Sequence, residues 1–290
     1  MKIAVFMGGI SSEREVSLWS GNAILESLKR QGYDAYGIDV TRDNIISAFT
    51  DNEYDLAYLA FHGEYGEDGR IQSILDVLGK TYTGSGVIAS AVAMDKILTK
   101  KIAHDCGIKI AKSYQNVEEV ESYPVFVKPA TEGSSVGVYT CNNKNELLNA
   151  IKNSGNKKLV IEEYIKGEEL TVGVLNGEAL GVLKIIPKAN IIYDYKSKYV
   201  PGGSVHEFPA KITKKAYDLA MKNAEIIHRE LGLAGISRSD FLLRDNELYF
   251  LEVNTCPGMT ITSLIPDLGT LKGYTYDDLT RIMVETFRKQ

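Results

Sequence analysis

The run Arg238-Ser-Asp240-Phe-Leu-Leu-Arg-Asp-Asn-Glu-Leu-Tyr-Phe-Leu-Glu252-Val-Asn254 constrains this chain more than any other segment. Phe241–Leu243 and Leu248–Leu251 have strand character and Asp245-Asn246 is turn chemistry, so the segment predicts a β-hairpin. With Asp245–Glu247 as the loop, Asp240 stands directly opposite Glu252. Side chains alternate between the faces of a strand, so Arg238 joins Asp240 on its face and Asn254 joins Glu252. Like charges opposed across a hairpin destabilise it unless positive charge lies between them. Two carboxylates and an amide oxygen are hard ligands of the kind Mg²⁺ takes, with phosphate oxygens completing the shell. The alternative is a solvated hairpin face. Four polar groups clustered beside Thr255-Cys-Pro-Gly-Met-Thr260 favour a metal–phosphate site, with Asp240, Glu252 and Asn254 as ligands.

Around this hairpin the 290 residues predict two or three domains, each able to bury its own core. The first ~95 residues alternate short strands (Lys2–Met7, Ala35–Val40, Leu56–Phe61) with helical patterns (about 13–31 and 70–78), which predicts a parallel α/β sheet. A helix over about 87–106 leads into a second segment. There Val125–Lys128 is a buried strand, and Leu170–Leu175, Asn176-Gly177 and Glu178–Ile185 form a hairpin. Periodicity fails from Pro187 to Pro209, a length that is usually functional when it occurs inside a compact chain. Helices over about 213–231 and 276–289 flank the carboxylate hairpin. The apolar fraction of 44% is ordinary for a globular protein, and a net charge of −5 argues against non-specific nucleic-acid binding. The three cysteines, Cys106, Cys141 and Cys256, stand far apart without zinc spacing, which suits a reducing compartment. No run approaches the ~20 apolar residues of a membrane span, so a cytoplasmic protein with no membrane insertion is expected.

Several further segments carry chemistry. Lys128-Pro-Ala-Thr-Glu-Gly133-Ser134-Ser135-Val-Gly137 follows a strand and offers a lysine and backbone N–H groups to a polyphosphate, or is an ordinary surface loop. Gly79-Lys80-Thr81 is not a P-loop, because Ile74 occupies the place of the first glycine. Gly8-Gly9-Ile-Ser-Ser12-Glu-Arg-Glu15 is a strand–glycine–helix junction in which Ser12-x-x-Glu15 reads as a capping box. A dinucleotide site there is disfavoured by the missing Gly-x-Gly-x-x-Gly. His62-Gly63-Glu-Tyr-Gly66-Glu67-Asp68-Gly69 follows the third strand, at the sheet end where open α/β folds bind ligands. Glu162 ends another strand, with Ile165 and Glu169 beyond it. Tyr193-Asp-Tyr195-Lys196-Ser-Lys198-Tyr199 mixes aromatic and basic groups and, in an acidic chain, predicts a ligand-closing lid rather than a nucleic-acid surface.

Taken in order, these segments, together with Tyr82-Thr-Gly84-Ser-Gly86, Met94-Asp95-Lys96 and Pro257-Gly258-Met-Thr…Ser263-Leu264, resemble the D-alanine–D-alanine ligases of the ATP-grasp superfamily over nearly the whole chain. The sequence departs from that pattern at Cys256, at Ser239 and in Gly202-Gly203-Ser204. The resemblance implies an α/β fold, α+β in parts, with an N-terminal α/β substrate-binding domain (1–95), a central ATP-grasp subdomain (96–183) and a C-terminal one (184–290) with a lid loop at 187–209. It implies ADP-forming ligation of two D-alanines through an acyl phosphate, for peptidoglycan precursors, with Mg²⁺ or Mn²⁺ (two ions) and a homodimer. Lys96, Lys128, Ser134, Ser135, Glu162, Ile165, Glu169, Lys198 and Asn254 would bind ATP. Arg238 and the Gly258 N–H would face the oxyanion. Glu15 would take the first substrate's ammonium, with His62 near its carboxylate, and would bond with Ser134 and Tyr199. Ser263 and Leu264 would hold the second carboxylate. Depsipeptide-forming relatives carry histidine in place of Tyr199, so an amine nucleophile is expected. The rival readings are a ligase for other amino-acid or hydroxy-acid partners, a non-catalytic nucleotide-binding module, and a dinucleotide oxidoreductase.

Overall fold

A computed structural model describes residues 1–133, 137–187 and 204–287. Among the described residues the chain forms three sheets. In the first, β1 (Lys2–Gly8) lies between β2 (Asp34–Val40) and β3 (Leu56–Leu59), and both pairings are parallel. Ile3 to Phe6 are fully buried, as expected of a central parallel strand covered on both faces. Helix α1 (Arg14–Arg30) returns the chain from β1 to β2, and α2 (Ser47–Thr50) and α3 (Arg70–Val77) complete this part.

The single helix expected over about 87–106 is two: α4 (Val87–Met94) and α5 (Lys96–Asp105). Asp95 breaks the run because its backbone is extended and its carboxylate caps α5, accepting from the N–H groups of Ile97 and Leu98. The break turns Lys96 into the first residue of α5, with its N–H on the Ala130 carbonyl at 2.9 Å.

The second sheet has the order β4-β7-β5-β6, built from β4 (Ser113–Tyr114), β5 (Val125–Pro129), β6 (Tyr139–Cys141) and β7 (Leu159–Glu163), all antiparallel. It packs with α6 (Lys144–Asn153) around Val125, Val127, Leu147 and Ile161, a core of its own. The third sheet, β10-β9-β8-β11-β12, contains β8 (Glu168–Leu175), β9 (Glu178–Pro187), β10 (Ser204–Glu207), β11 (Ile236–Arg244) and β12 (Glu247–Asn254). Its helix α7 (Lys214–Glu230) covers one face, and α8 (Leu264–Thr270) and α9 (Tyr276–Phe287) follow β12.

Two expectations are corrected here. The division at 183/184 cuts through β9, because the hairpin at Asn176-Gly177 pairs with β11 and belongs to the third sheet. An antiparallel hairpin closes on itself locally, and its own sequence does not say which sheet its outer edge joins. The expected loop over 187–209 also contains β10, which pairs with the end of β9 (Val205 opposite Ile186, His206 opposite Ile185). Residues 188–203 of that stretch lie outside the described residues.

The first and third sheets share one core. Ile3, Val5 and Met7 of β1 pack in the same cluster as Leu264, Ile265 and Leu268 of α8 and Leu279, Met283 and Phe287 of α9. That continuous apolar body fixes the loops after β1 and β3 against the loop after β12, and the functional cavity lies at their junction.

Candidate active site

The hairpin β11–β12 places Asp240 opposite Glu252 and Arg238 opposite Asn254, as the sequence predicts, but by a different route. The turn has only two residues, Asp245 and Asn246, both at positive φ (52° and 63°), as the tight hairpin turn requires. A bulge between Asp240 and Phe241 then restores the offset that the shorter turn removes.

The opposed carboxylates are neutralised separately. Arg238 grips Asp240 with two parallel bonds, Nε to Oδ1 at 3.0 Å and Nη2 to Oδ2 at 2.9 Å. Thr171 donates to Asp240 Oδ1 at 2.5 Å, and the Asn254 amide donates to Oδ2 at 3.3 Å. Glu252 pairs with Lys96 at 3.0 Å, whose ammonium also donates to the Glu132 carbonyl at 2.7 Å. Lys96, Glu169, Arg238, Asp240, Glu252 and Asn254 line one cavity of about 430 Å³.

The other end of that cavity is built by the N-terminal sheet. His62 is buried, with Nε2 3.0 Å from Ser20 Oγ and Nδ1 2.9 Å from the Cys256 carbonyl. A carbonyl only accepts, so Nδ1 carries the hydrogen, and in the neutral ring Nε2 accepts from Ser20. Burial holds the His62 imidazole below the ordinary histidine range, against the pull of Glu13 and the Cys256 carbonyl. Glu67 accepts from the Gly63 N–H at 2.7 Å and from the Cys256 N–H at 3.1 Å. Burial first, and the charge of Glu13 second, push the Glu67 carboxyl up to about 8. The Cys256 backbone is thus gripped on its carbonyl by His62 and on its N–H by Glu67.

Glu15 requires a correction. It lies exposed on α1 and does not line the cavity, whereas Glu13 is buried (7% exposed) and does. The Ser12-x-x-Glu15 capping box does not form: the cap position is Glu13, and its N–H bonds to Ser11 Oγ at 3.1 Å. Two residues span about 200° of helix, so Glu13 and Glu15 take opposite faces. Glu13 has the spacing of buried Val16, Ser17 and Ser20, a periodicity that would have singled it out.

The remaining expectations divide three ways. Gly258, Ser263 and Leu264 line the cavity, and Ser263 Oγ lies 2.7 Å from Thr260 Oγ1. A side chain at Gly258 would meet Ser263 Oγ at 3.1 Å, so the glycine keeps its peptide open to the cavity. Lys128, Glu162 and Ile165 are buried and are not among the cavity-lining residues: Ile165 packs with Ala111 and Tyr249, and Lys128 is paired with Glu162 at 2.7 Å. Ser134, Ser135, Lys198 and Tyr199 lie outside the described residues. The sequence reading quoted Glu67 within the His62–Gly69 motif without giving it a role, and missed Trp19 and Lys100. Glu67 and Trp19 line the cavity, and Lys100 is ion-paired with Glu162.

The oxygen set of Asp240, Glu252 and Asn254 fits a divalent cation of the magnesium type shared with a ligand. Among the described residues no group of three or more His, Cys, Asp and Glu forms a metal cage. Mg²⁺ is usually held by one or two carboxylates and the phosphates of a substrate. No helix among the described residues is long and apolar enough to cross a membrane.

Comparison with known proteins agrees with this geometry. The family model described as D-ala D-ala ligase C-terminus matches residues 96–285. The chain is 66% identical over 287 residues to the D-alanine–D-alanine ligase of Fusobacterium nucleatum, covering 99% of each, and 44% identical to that of Citrifermentans bemidjiense, covering 96% of this chain and 93% of that one. Among solved structures, the D-alanine–D-alanine ligase of Bacillus anthracis complexed with ATP superposes with a TM-score of 0.87 at 33% identity, covering 100% of this chain and 98% of that chain. The VanG D-Ala:D-Ser ligase of Enterococcus faecalis gives 0.85 at 28%, covering 99% of each. By sequence along its whole length and by fold, the chain belongs to the D-alanine–D-alanine ligase family.

Proposed function

We infer that this chain joins two D-alanines into D-alanyl-D-alanine at the expense of ATP, supplying peptidoglycan precursors. The observation that carries this reading is one cavity with cations around carboxylates at one end (Lys96, Arg238, Asp240, Glu252) and Glu13, His62 and Glu67 at the other. One end suits phosphate, the other an ammonium.

A carboxylate is a poor electrophile, so a carboxylate oxygen of the first D-alanine attacks the γ-phosphorus, the β–γ bridging bond breaks, and ADP leaves with the electron pair. The amine of the second D-alanine attacks the resulting acyl carbon. The bond from carbon to the phosphate oxygen breaks, and the nitrogen loses a proton. Glu13, rather than Glu15, receives the first ammonium. Arg238 and the Gly258 N–H stabilise the oxyanion of the tetrahedral intermediate, where preorganised donors contribute most. Lys96 and Lys128 neutralise nucleotide phosphates, and Glu169 faces the ribose. Ser134, Ser135 and Lys198 complete the ATP set, and Ser263 and Leu264 hold the acceptor carboxylate. A Mg²⁺ or Mn²⁺ pair held by Asp240, Glu252 and Asn254 would supply charge neutralisation at the phosphates. Tyr199 favours an amine acceptor over D-lactate. A cytoplasmic homodimer accords with this reading.

The test is ADP formation with D-alanine or L-alanine as the sole amino acid, followed by identification of the product. D-alanine-dependent ADP with D-alanyl-D-alanine supports the reading. ADP formation indifferent to the amino acid contradicts it.

A further inference from the structure

Three charged side chains meet just outside the residues that line the cavity. Lys128, near the end of β5, lies 2.7 Å from Glu162 of β7, and Lys100, from the buried face of α5, is ion-paired with the same carboxylate. All three are nearly inaccessible: 3% exposed for Lys100, 7% for Lys128 and 3% for Glu162. A buried ion pair needs one cation, and here there are two. Removing either partner from a buried pair strongly destabilises it, because the remaining charge is stranded away from water. A Lys128 paired alone with Glu162 would therefore be held to it.

We propose that Lys100 is a positioning residue that holds Glu162 when Lys128 turns from it toward a nucleotide phosphate, so that the transfer never strands a buried carboxylate. The proposal rests on the ATP reading above and adds a residue to it. Lys100 itself has no need to touch the nucleotide. Its place one helical turn beyond Lys96 (Lys96 and Lys100 are four residues apart, on one face of α5) sets its ammonium inward toward β7, while Lys96 reaches the Glu252 side. The titration of the cluster agrees. Burial alone would raise the Glu162 carboxyl, but the ammoniums of Lys128 and Lys100 bring it down to about 2. Burial and the neighbouring Lys128 bring Lys100 down to about 8 against the attraction of Glu162 and Glu252.

The experiment is a double-mutant cycle, read as ATP affinity by calorimetry on the full chain. Lys100→Met should weaken ATP roughly tenfold or more, because one buried ion pair must then be broken to free Lys128. It should leave the Michaelis constant for D-alanine unchanged and the Tm equal or higher, since Lys128 and Glu162 remain a balanced pair. In a Glu162→Gln background the same substitution should have little further effect on ATP, because no carboxylate is left to retain Lys128. Lys100→Arg should restore most of the affinity. A Lys100→Met effect of equal size in both backgrounds would mean that Lys100 acts on the nucleotide directly, and would overturn the proposal. So would unchanged ATP affinity, or a fall in Tm with D-alanine and ATP weakened together. If Lys100→Met does not fold, Lys100→Gln in the same cycle gives the same comparison. Failure of the native chain to bind ATP would instead overturn the nucleotide reading on which the proposal stands.

Discussion

The two ends of the cavity treat their carboxylates differently. At the hairpin end Asp240 and Glu252 each have a basic side chain, Arg238 at 2.9 Å and Lys96 at 3.0 Å. At the N-terminal end Glu67 is held by two backbone N–H groups, and His62 is kept as the neutral ring. The first end is stocked with cations whose carboxylate partners can be exchanged for phosphate. The second sets Glu67 and His62 in a buried frame of hydrogen bonds beside Glu13, the carboxylate there that an ammonium would meet. The contrast teaches that counting acids and bases is not enough: which atoms satisfy each acid decides which substrate group it can accept.

The largest effect should come from the hairpin. Glu252→Gln is expected to lower kcat about 100-fold or more, since it removes a charge aimed at the phosphate region. Because Glu252 is ion-paired with Lys96 rather than merely repelled by Asp240, stability should also fall, by about 1–3 kcal/mol in chemical denaturation. Full magnesium-dependent ADP formation by this variant would remove the hairpin from the phosphate end. Next in size, Glu13→Gln should raise the Michaelis constant for the first D-alanine roughly 10-fold or more, by analogy with loss of one charged hydrogen bond. Glu15→Gln, on the exposed face of α1, should change stability by no more than about 0.5 kcal/mol and leave the kinetics unchanged. Reversal of those two results would exchange the roles of the two glutamates.

That pair shows where the sequence was legible and where it was not. The facing of Asp240 and Glu252 could be read because alternation along a strand is robust. The register still came out right only through two compensating departures, a shorter turn and a bulge, and bulges leave no mark in a polar–apolar pattern. At the first junction, Ser12-x-x-Glu15 imitated a capping box and drew attention past Glu13, which the helical spacing of Val16, Ser17 and Ser20 supports instead. The family motifs located the lysines, but Lys100 has the same type and nearly the same place as its exposed neighbour Lys101, and only tertiary packing separates them. The strand Ser204–Glu207 escaped because it is an edge strand defined by its partner β9 rather than by its own composition.

A smaller effect concerns pH. The Glu67 carboxyl, raised to about 8 in the folded chain from about 4.3 when unfolded, stays protonated where the unfolded chain has released its proton. Its contribution to stability is therefore full below about pH 4 and declines as pH rises toward about 8. Between those limits the Glu67→Gln protein should lose less Tm with rising pH than the native one. An identical slope in both proteins would mean that Glu67 is ionised throughout. Thr171→Val removes one donor from Asp240 but leaves Arg238 and Asn254, so a loss of about 1 kcal/mol is expected. A much larger loss would show that Arg238 alone cannot hold that carboxylate.

The central claim is that the two ends act in sequence on one carboxylate, activating it by phosphorylation before the amine arrives. D-Alanine labelled with ¹⁸O in its carboxylate tests this directly, with mass analysis of the phosphate released during turnover with unlabelled ATP. Transfer of one labelled oxygen to phosphate for each dipeptide formed is the predicted result. Unlabelled phosphate accompanying dipeptide formation would contradict it.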